Sequence, residues 1–127
     1  MQIADHFTEL WSPNFGRPRG SVRDFLSLRA QPDQGDIVGY LRAGHEILSV
    51  MGAAPDVLGS GEDIVGGDSL YTDGEWLWRG DLWFYVRSHH VQVPEAFLVH
   101  MRDRGYSMPH VEHPRLLEIL DWVEERW

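Results

Sequence analysis

The chain lacks cysteine altogether. Without a thiol, a protein can form no disulfide, present no thiolate nucleophile and build no zinc site on cysteine ligands. Nothing in the sequence therefore points to an oxidising compartment.

Lysine is absent as well, and all eleven basic residues are arginines. This absence excludes Schiff-base chemistry, a pyridoxal-phosphate lysine and the lysine of a phosphate-binding P-loop. An all-arginine basic set is typical of GC-rich genomes, because arginine codons are rich in G and C.

Long apolar runs are also missing. No segment approaches the ~18 consecutive apolar residues of a membrane span, and Met1–Asp5 does not begin a signal sequence. There are no internal repeats, and the loop-like segments 12–20 and 52–68 leave flanks too small to fold alone. With 127 residues, 43% of them hydrophobic, we expect one cytoplasmic domain over 1–127, with no membrane partner.

Acidic residues outnumber basic ones and give the chain a net charge of −9. The excess is uneven, since residues 56–81 contain seven carboxylates and Arg79 as their single cation. Such a field repels nucleic acid and attracts basic surfaces, although acidity also simply keeps a protein in solution. We therefore expect no nucleic-acid partner. Two explanations of the acidic charge stay open: a protein partner with a basic surface, or a purely solubilising role.

Apolar spacing and capping residues predict a short helix over 3–11 and further helices that begin near residues 21, 33, 81, 94 and 114. Ser21, Asp33 and Asp81 are the expected N-caps of three of them. Residues 46–51 follow a helix stop at Gly44 and are rich in β-branched side chains, which favours a strand. Local strands followed by a run of helices predict an α+β fold, with a small antiparallel sheet packed against several helices.

The clearest local signal is a hairpin at about 69–78. Its strands flank Asp73-Gly74, a dipeptide that supplies the positive φ angles of a two-residue turn. Closing this turn would pair Tyr71 with Trp76.

Side chains alternate along the two hairpin strands. Tyr71, Trp76 and Trp78 then share one face, and Leu70 and Leu77 share the other. Because both faces are apolar, we expect the hairpin to be covered on both sides, by helices or by a partner.

Seven histidines are candidates for metal ligation. His89 and His90 point to different faces of a helix, and His110 and His113 fall in a predicted loop before the last helix. No His-Glu-x-x-His helix motif is present. We therefore interpret the histidines as capping, surface or core-edge residues and expect no metal site.

Other catalytic patterns are equally weak. Gly59-Ser60-Gly61 lacks the strand–turn–helix context of a serine nucleophile, and Ile64 stands where a dinucleotide fingerprint needs glycine. Glu75 and Asp81 bracket the aromatic hairpin and could serve as the carboxylate pair of a glycosidase, but such enzymes usually need a larger scaffold to form their cleft. We expect no cofactor and name no catalytic residue.

Six aromatic residues crowd into fifteen positions: Tyr71, Trp76, Trp78, Trp83, Phe84 and Tyr85. Most of them are expected in the core. Trp83 lies off the helix stripe formed by Leu82, Tyr85 and Val86, and an exposed tryptophan beside carboxylates is typical of an interface anchor.

Residues 66–98 carry three linked patterns: Thr72-Asp73-Gly74-Glu75-Trp76-Leu77-Trp78, then Asp81-Leu82 with Tyr85, then Val93-Pro94 with Phe97. Together they resemble a group of small bacterial proteins, largely actinobacterial, which share a Thr-Asp-Gly-x-Trp-x-Trp hairpin. That group resembles the immunity proteins of bacterial toxin systems. The resemblance implies a hairpin-plus-helices fold and a role in neutralising a toxin domain, and it carries over no catalytic residues.

The resulting hypothesis is an immunity-type protein that occludes the basic active surface of a toxin domain. Its expected partner-binding residues are six carboxylates and one indole: Glu62, Asp63, Asp68, Asp73, Glu75, Asp81 and Trp83. Two alternatives stay open. One is a small enzyme that uses histidine and carboxylates, with or without a metal. The other is a regulatory protein-binding domain.

Overall fold

The computed structural model describes residues 1–127 as an α+β fold of four helices, a four-stranded sheet and a two-stranded sheet. The helices are α1 (Gln34–Arg42), α2 (Leu82–His89), α3 (Glu95–Asp103) and α4 (His113–Glu124). The strands are β1 (Gln2–Ile3), β2 (His45–Leu48), β3 (Ala53–Pro55), β4 (Asp63–Val65), β5 (Leu70–Thr72) and β6 (Trp76–Arg79). None of the helices has the length and apolar character needed to cross a bilayer.

The larger sheet has the order β1-β6-β5-β2 and is mixed, whereas an antiparallel sheet was expected. The difference is β1, which runs parallel to β6 and pairs Gln2 with Trp76 and Ile3 with Leu77. The predicted helix over 3–11 is therefore wrong. Its first residues are extended, because the Ala4 N–H donates to the Leu77 carbonyl at 2.8 Å.

The hairpin prediction is confirmed, but its register is wrong by two residues. Tyr71 pairs with Trp78 and Thr72 with Leu77, so the connection is longer than two residues. The cause is Asp73, whose Oδ1 accepts hydrogen bonds from the backbone N–H groups of Glu75 (2.9 Å) and of the residue after it (2.8 Å). A shift of two leaves every side chain on its predicted face.

Both faces of the hairpin are covered by the chain itself, as its two apolar faces predict. Trp76 and Trp78 pack into a core shared with α1, α2 and α3. Leu70 and Leu77 pack into a second core with the N-terminal segment and with Ile119 of α4. Trp83 is half-buried and contacts both cores.

The helix predictions hold for α1, α2, α3 and α4, with corrections at their caps. The segment after Ser21 is only a 3-10 turn over Val22–Phe25, although the Ser21 hydroxyl caps it as expected. Neither Asp33 nor Asp81 caps its helix with its side chain. Both carboxylates are instead held by arginines: Arg102 binds the first and Arg79 the second.

Candidate functional site

An open cavity of about 690 Å³ lies between β4 and the first turn of α2. We name it the Trp83 groove. One wall is the consecutive run 62–66, and the other walls come from α1, the hairpin and α2. Its lining residues are Leu41, Arg42, Glu62, Asp63, Ile64, Val65, Gly66, Tyr71, Gly80, Trp83 and Phe84.

The indole of Trp83 forms the aromatic wall of this groove. The guanidinium carbon of Arg42, at the end of α1, lies 4.5 Å from the centroid of the Trp83 ring. This is cation–π geometry, in which the negative ring face attracts a positive charge. The groove therefore already holds one guanidinium against its indole.

Two exposed carboxylates, Glu62 and Asp63, form the acidic rim. Neither takes part in a salt bridge within the chain. A third carboxylate, that of Glu46, is bound to the groove residue Tyr71, whose hydroxyl donates to Glu46 Oε2 at 2.8 Å. Burial and this hydrogen bond both raise the pKa of Tyr71. The rim therefore carries two carboxylates that no salt bridge within the chain neutralises.

The loop that leads into the rim is held by Asp56, a buried carboxylate. Asp56 accepts hydrogen bonds from the backbone N–H groups of Leu58 (2.8 Å) and Ser60 (3.3 Å), and its Oδ2 lies 2.8 Å from His89 Nε2. Burial opposes ionisation of this carboxyl, but the hydrogen bonds outweigh it and lower the pKa of Asp56. The rim thus rests on an anchored loop.

The structure separates Asp68 and Asp81 from this groove. Both bind Arg79, and Asp68 Oδ1 lies 2.7 Å from Arg79 Nη2. Asp81 is 0% exposed, so the prediction that it contacts a partner is wrong. Burial raises the pKa of Asp81 and the ion pair with Arg79 opposes that rise.

Asp73 and Glu75 form a third group at the hairpin connection. Asp73 is buried and its Oδ2 accepts from the Tyr40 hydroxyl and faces His100 Nε2 at 2.8 Å. It is therefore also removed from the expected contact set. Glu75 is exposed, and it pairs with His100 Nδ1 (3.3 Å) and with Arg104 (3.5 Å).

The enzyme alternative requires histidines to converge with carboxylates in one pocket. The two histidines do not converge. His100 lies against Glu75, whereas His89 binds Asp56 on another part of the molecule. Both ring nitrogens of His100 face carboxylates of the chain, so neither is free to face a substrate. No three His, Asp or Glu side chains cluster as a set that could hold a metal ion.

Of the seven predicted site residues, the groove brings together Glu62, Asp63 and Trp83. Sequence reasoning missed Arg42 and the backbone of β4. Arg42 reaches Trp83 only because α1 packs on α2, a contact between segments some forty positions apart. No local pattern in the sequence signals it.

Comparison of the chain with protein-family models, with curated proteins and with solved structures gives no significant match. The fold and the groove are therefore the basis for a functional assignment. Together they define a small α+β protein with an acidic, aromatic-walled surface groove.

Proposed function

We propose that this protein is an immunity-type inhibitor, which binds the basic surface of a toxin domain through the Trp83 groove and so covers that surface. One observation carries the proposal: Glu62 and Asp63, which form no salt bridge, line the same groove as the Trp83 indole, which already holds a guanidinium. A basic side chain of a partner would form charge-assisted hydrogen bonds with these two carboxylates.

Charge supports the choice of a basic partner. The chain has a net charge of −9, and its field steers cationic proteins toward it. Steering of this kind mainly raises the association rate, and salt weakens it. Complex formation should therefore slow markedly as ionic strength rises.

The proposed mechanism is occlusion. A toxin domain that acts on an anionic substrate needs arginine or lysine residues on its active surface. If those residues are bound to Glu62 and Asp63, and an apolar contact is made at Trp83, the substrate is excluded. No catalytic step by this chain is needed.

Co-expression tests the proposal. The gene beside the one for this chain is expressed in a bacterial host, alone and with this protein, and growth is recorded. We expect growth to stop without this protein and to recover with it. The Trp83→Ala variant and the Glu62→Arg/Asp63→Arg double variant should each lose most of the protection.

A matched control places the same charge change elsewhere. The double variant Asp36→Arg/Asp103→Arg reverses two exposed carboxylates outside the groove and should still protect. If the groove variants protect as well as the unmodified protein, the groove is not the toxin-binding surface. If the neighbouring protein is harmless and still binds, the regulatory alternative is correct instead.

A further inference from the structure

We propose that the partner enters the Trp83 groove as an extended strand and pairs with the open edge of β4. This rests on the proposed function, because the partner is taken to be basic. In this arrangement the open edge of β4 recognises the backbone of the partner, and the acidic rim recognises its basic side chains.

The register of the small sheet shows which backbone groups are free. Glu62 accepts a hydrogen bond from the Asp56 N–H (3.0 Å), and the Gly66 N–H donates to the Gly52 carbonyl (2.9 Å). In an antiparallel pair, such bonded positions alternate with positions whose N–H and C=O point away from the partner strand. Positions 63 and 65 of β4 therefore direct their backbone groups outward.

The outward-pointing N–H and C=O groups belong to Asp63 and Val65 of β4. These two residues lie opposite Pro55 and Ala53 of β3, respectively. β4 has no neighbour other than β3. Val65 is 87% exposed, so this end of β4 lies open to solvent. An open strand edge of this kind is a template for pairing with another chain.

The groove lies along this edge. The run 62–66 lines the cavity, whereas no residue of β3 does. Any segment that occupies the groove therefore lies beside the run that contains Asp63 and Val65, in a cavity that Trp83 also lines.

The opposite edge of the small sheet is blocked. Pro55 occupies a position of β3 at which the backbone N–H would point outward, and proline has no N–H to donate. Proline on an edge strand is a common protection against unwanted pairing. Only the β4 edge, beside the acidic rim, is left open to a strand.

The expected occupant is an extended segment in which basic residues alternate with apolar ones. Side chains of an added strand alternate between two directions. One set can reach the carboxylates of Glu62 and Asp63, while main-chain hydrogen bonds to β4 provide much of the affinity.

A synthetic peptide tests this directly. The probe is the capped peptide Val-Arg-Val-Arg-Val-Arg-Val, added to the whole protein and followed by Trp fluorescence and by backbone amide NMR. We expect saturable binding, and we expect the amides of Asp63 and Val65 to become protected from hydrogen exchange in the complex. Exchange of these two amides that stays unprotected at saturation would overturn the strand-pairing inference.

Proline substitution provides a second experiment, because proline has no backbone N–H to pair with an added strand. Val65→Pro removes one outward N–H without removing a bond to β3, and should weaken peptide binding at least tenfold. Val65→Ala, which keeps the N–H, and Ala53→Pro, which alters the other edge, should bind within about twofold of the unmodified protein. Equal binding by Val65→Pro and Val65→Ala would contradict the proposal.

The two proposals can fail separately. If Glu62→Arg/Asp63→Arg abolishes peptide binding while Val65→Pro does not, the acidic groove is supported and strand pairing is overturned. If the peptide shows no binding at all, strand pairing is also overturned, and the co-expression experiment decides the immunity function independently.

Discussion

Arg79 donates to both carboxylate oxygens of Asp81, with Nε 3.1 Å from Oδ1 and Nη2 2.8 Å from Oδ2. The same guanidinium donates to the Leu10 carbonyl at 2.9 Å and to Asp68. One side chain thus joins the N-terminal segment, the loop before β5, the end of β6 and the start of α2. It fixes the position from which Trp83 projects into the groove.

Replacing Arg79 by Met should therefore destabilise the protein severely. The buried carboxylate of Asp81 would lose its ion-pair partner, and removal of one partner from a buried pair lowers the free energy of unfolding by about 3–5 kcal/mol. Urea unfolding followed by circular dichroism measures the change. The exposed pair of Arg115 and Glu118 provides the control, and Arg115→Met should change stability by less than about 1 kcal/mol.

Asp5 gives the protein a specific pH dependence. Burial, with the nearby charge of Asp81, raises the pKa of Asp5 to about 7, although Arg79 and Trp11 donate hydrogen bonds to it. A carboxyl with a raised pKa in the folded state stabilises the fold below its unfolded pKa of about 3.9. That stabilisation is lost as the pH rises through about 7.

The Asp5→Asn variant isolates this effect, because its amide does not titrate. Between about pH 4 and 7, the unmodified protein should lose stability relative to the variant by up to about 1.4 kcal/mol per pH unit. Urea unfolding of both proteins at several pH values gives the difference. A difference that stays constant across this range would show that Asp5 has an ordinary pKa.

Two glycines should respond oppositely to alanine. A Cβ on Gly80 would lie 2.3 Å from the Gly66 carbonyl oxygen, so Gly80→Ala must push β6 away from the groove wall and destabilise the fold. Gly39 lies inside α1 with open space around it, and Gly39→Ala should stabilise the fold by about 0.5–1 kcal/mol. Thermal unfolding of the two variants tests both signs together.

Local sequence patterns predicted the helices and strands better than they predicted which strands pair with each other. The hairpin, the faces of its strands and the helices from α1 onward follow from alternation, periodicity and stop signals within a few residues. The helix over 3–11 was wrong because β1 pairs with a strand more than seventy positions later, and this pairing overrides local preference. The two-residue β1 is too short to leave a pattern.

The candidate site shows the same limit. Trp83 lies off its helix stripe and lines the groove, and the predicted partner-binding residues Glu62 and Asp63, whose contact with a partner stays a prediction, line it as well. Asp73 and Asp81 look identical to them in the sequence. Their burial depends on His100 and Arg79, whose positions only the folded chain establishes.

The carboxylate of Asp73 accounts for the longer hairpin connection, and its replacement tests that explanation. Its Oδ1 accepts the N–H groups of Glu75 and Trp76, and its Oδ2 accepts the Tyr40 hydroxyl and faces His100. Asp73→Ala leaves these groups without their acceptor and should lower stability by about 2–4 kcal/mol.

Tyr40→Phe removes only one of those bonds and should lower the free energy of unfolding by about 1–2 kcal/mol. Chemical unfolding of the two variants, monitored by tryptophan fluorescence, gives both values. If Asp73→Ala is no more destabilising than Tyr40→Phe, the backbone of the connection does not depend on the carboxylate. The longer connection would then need another cause, since Asp73 would no longer account for the two-residue difference in register.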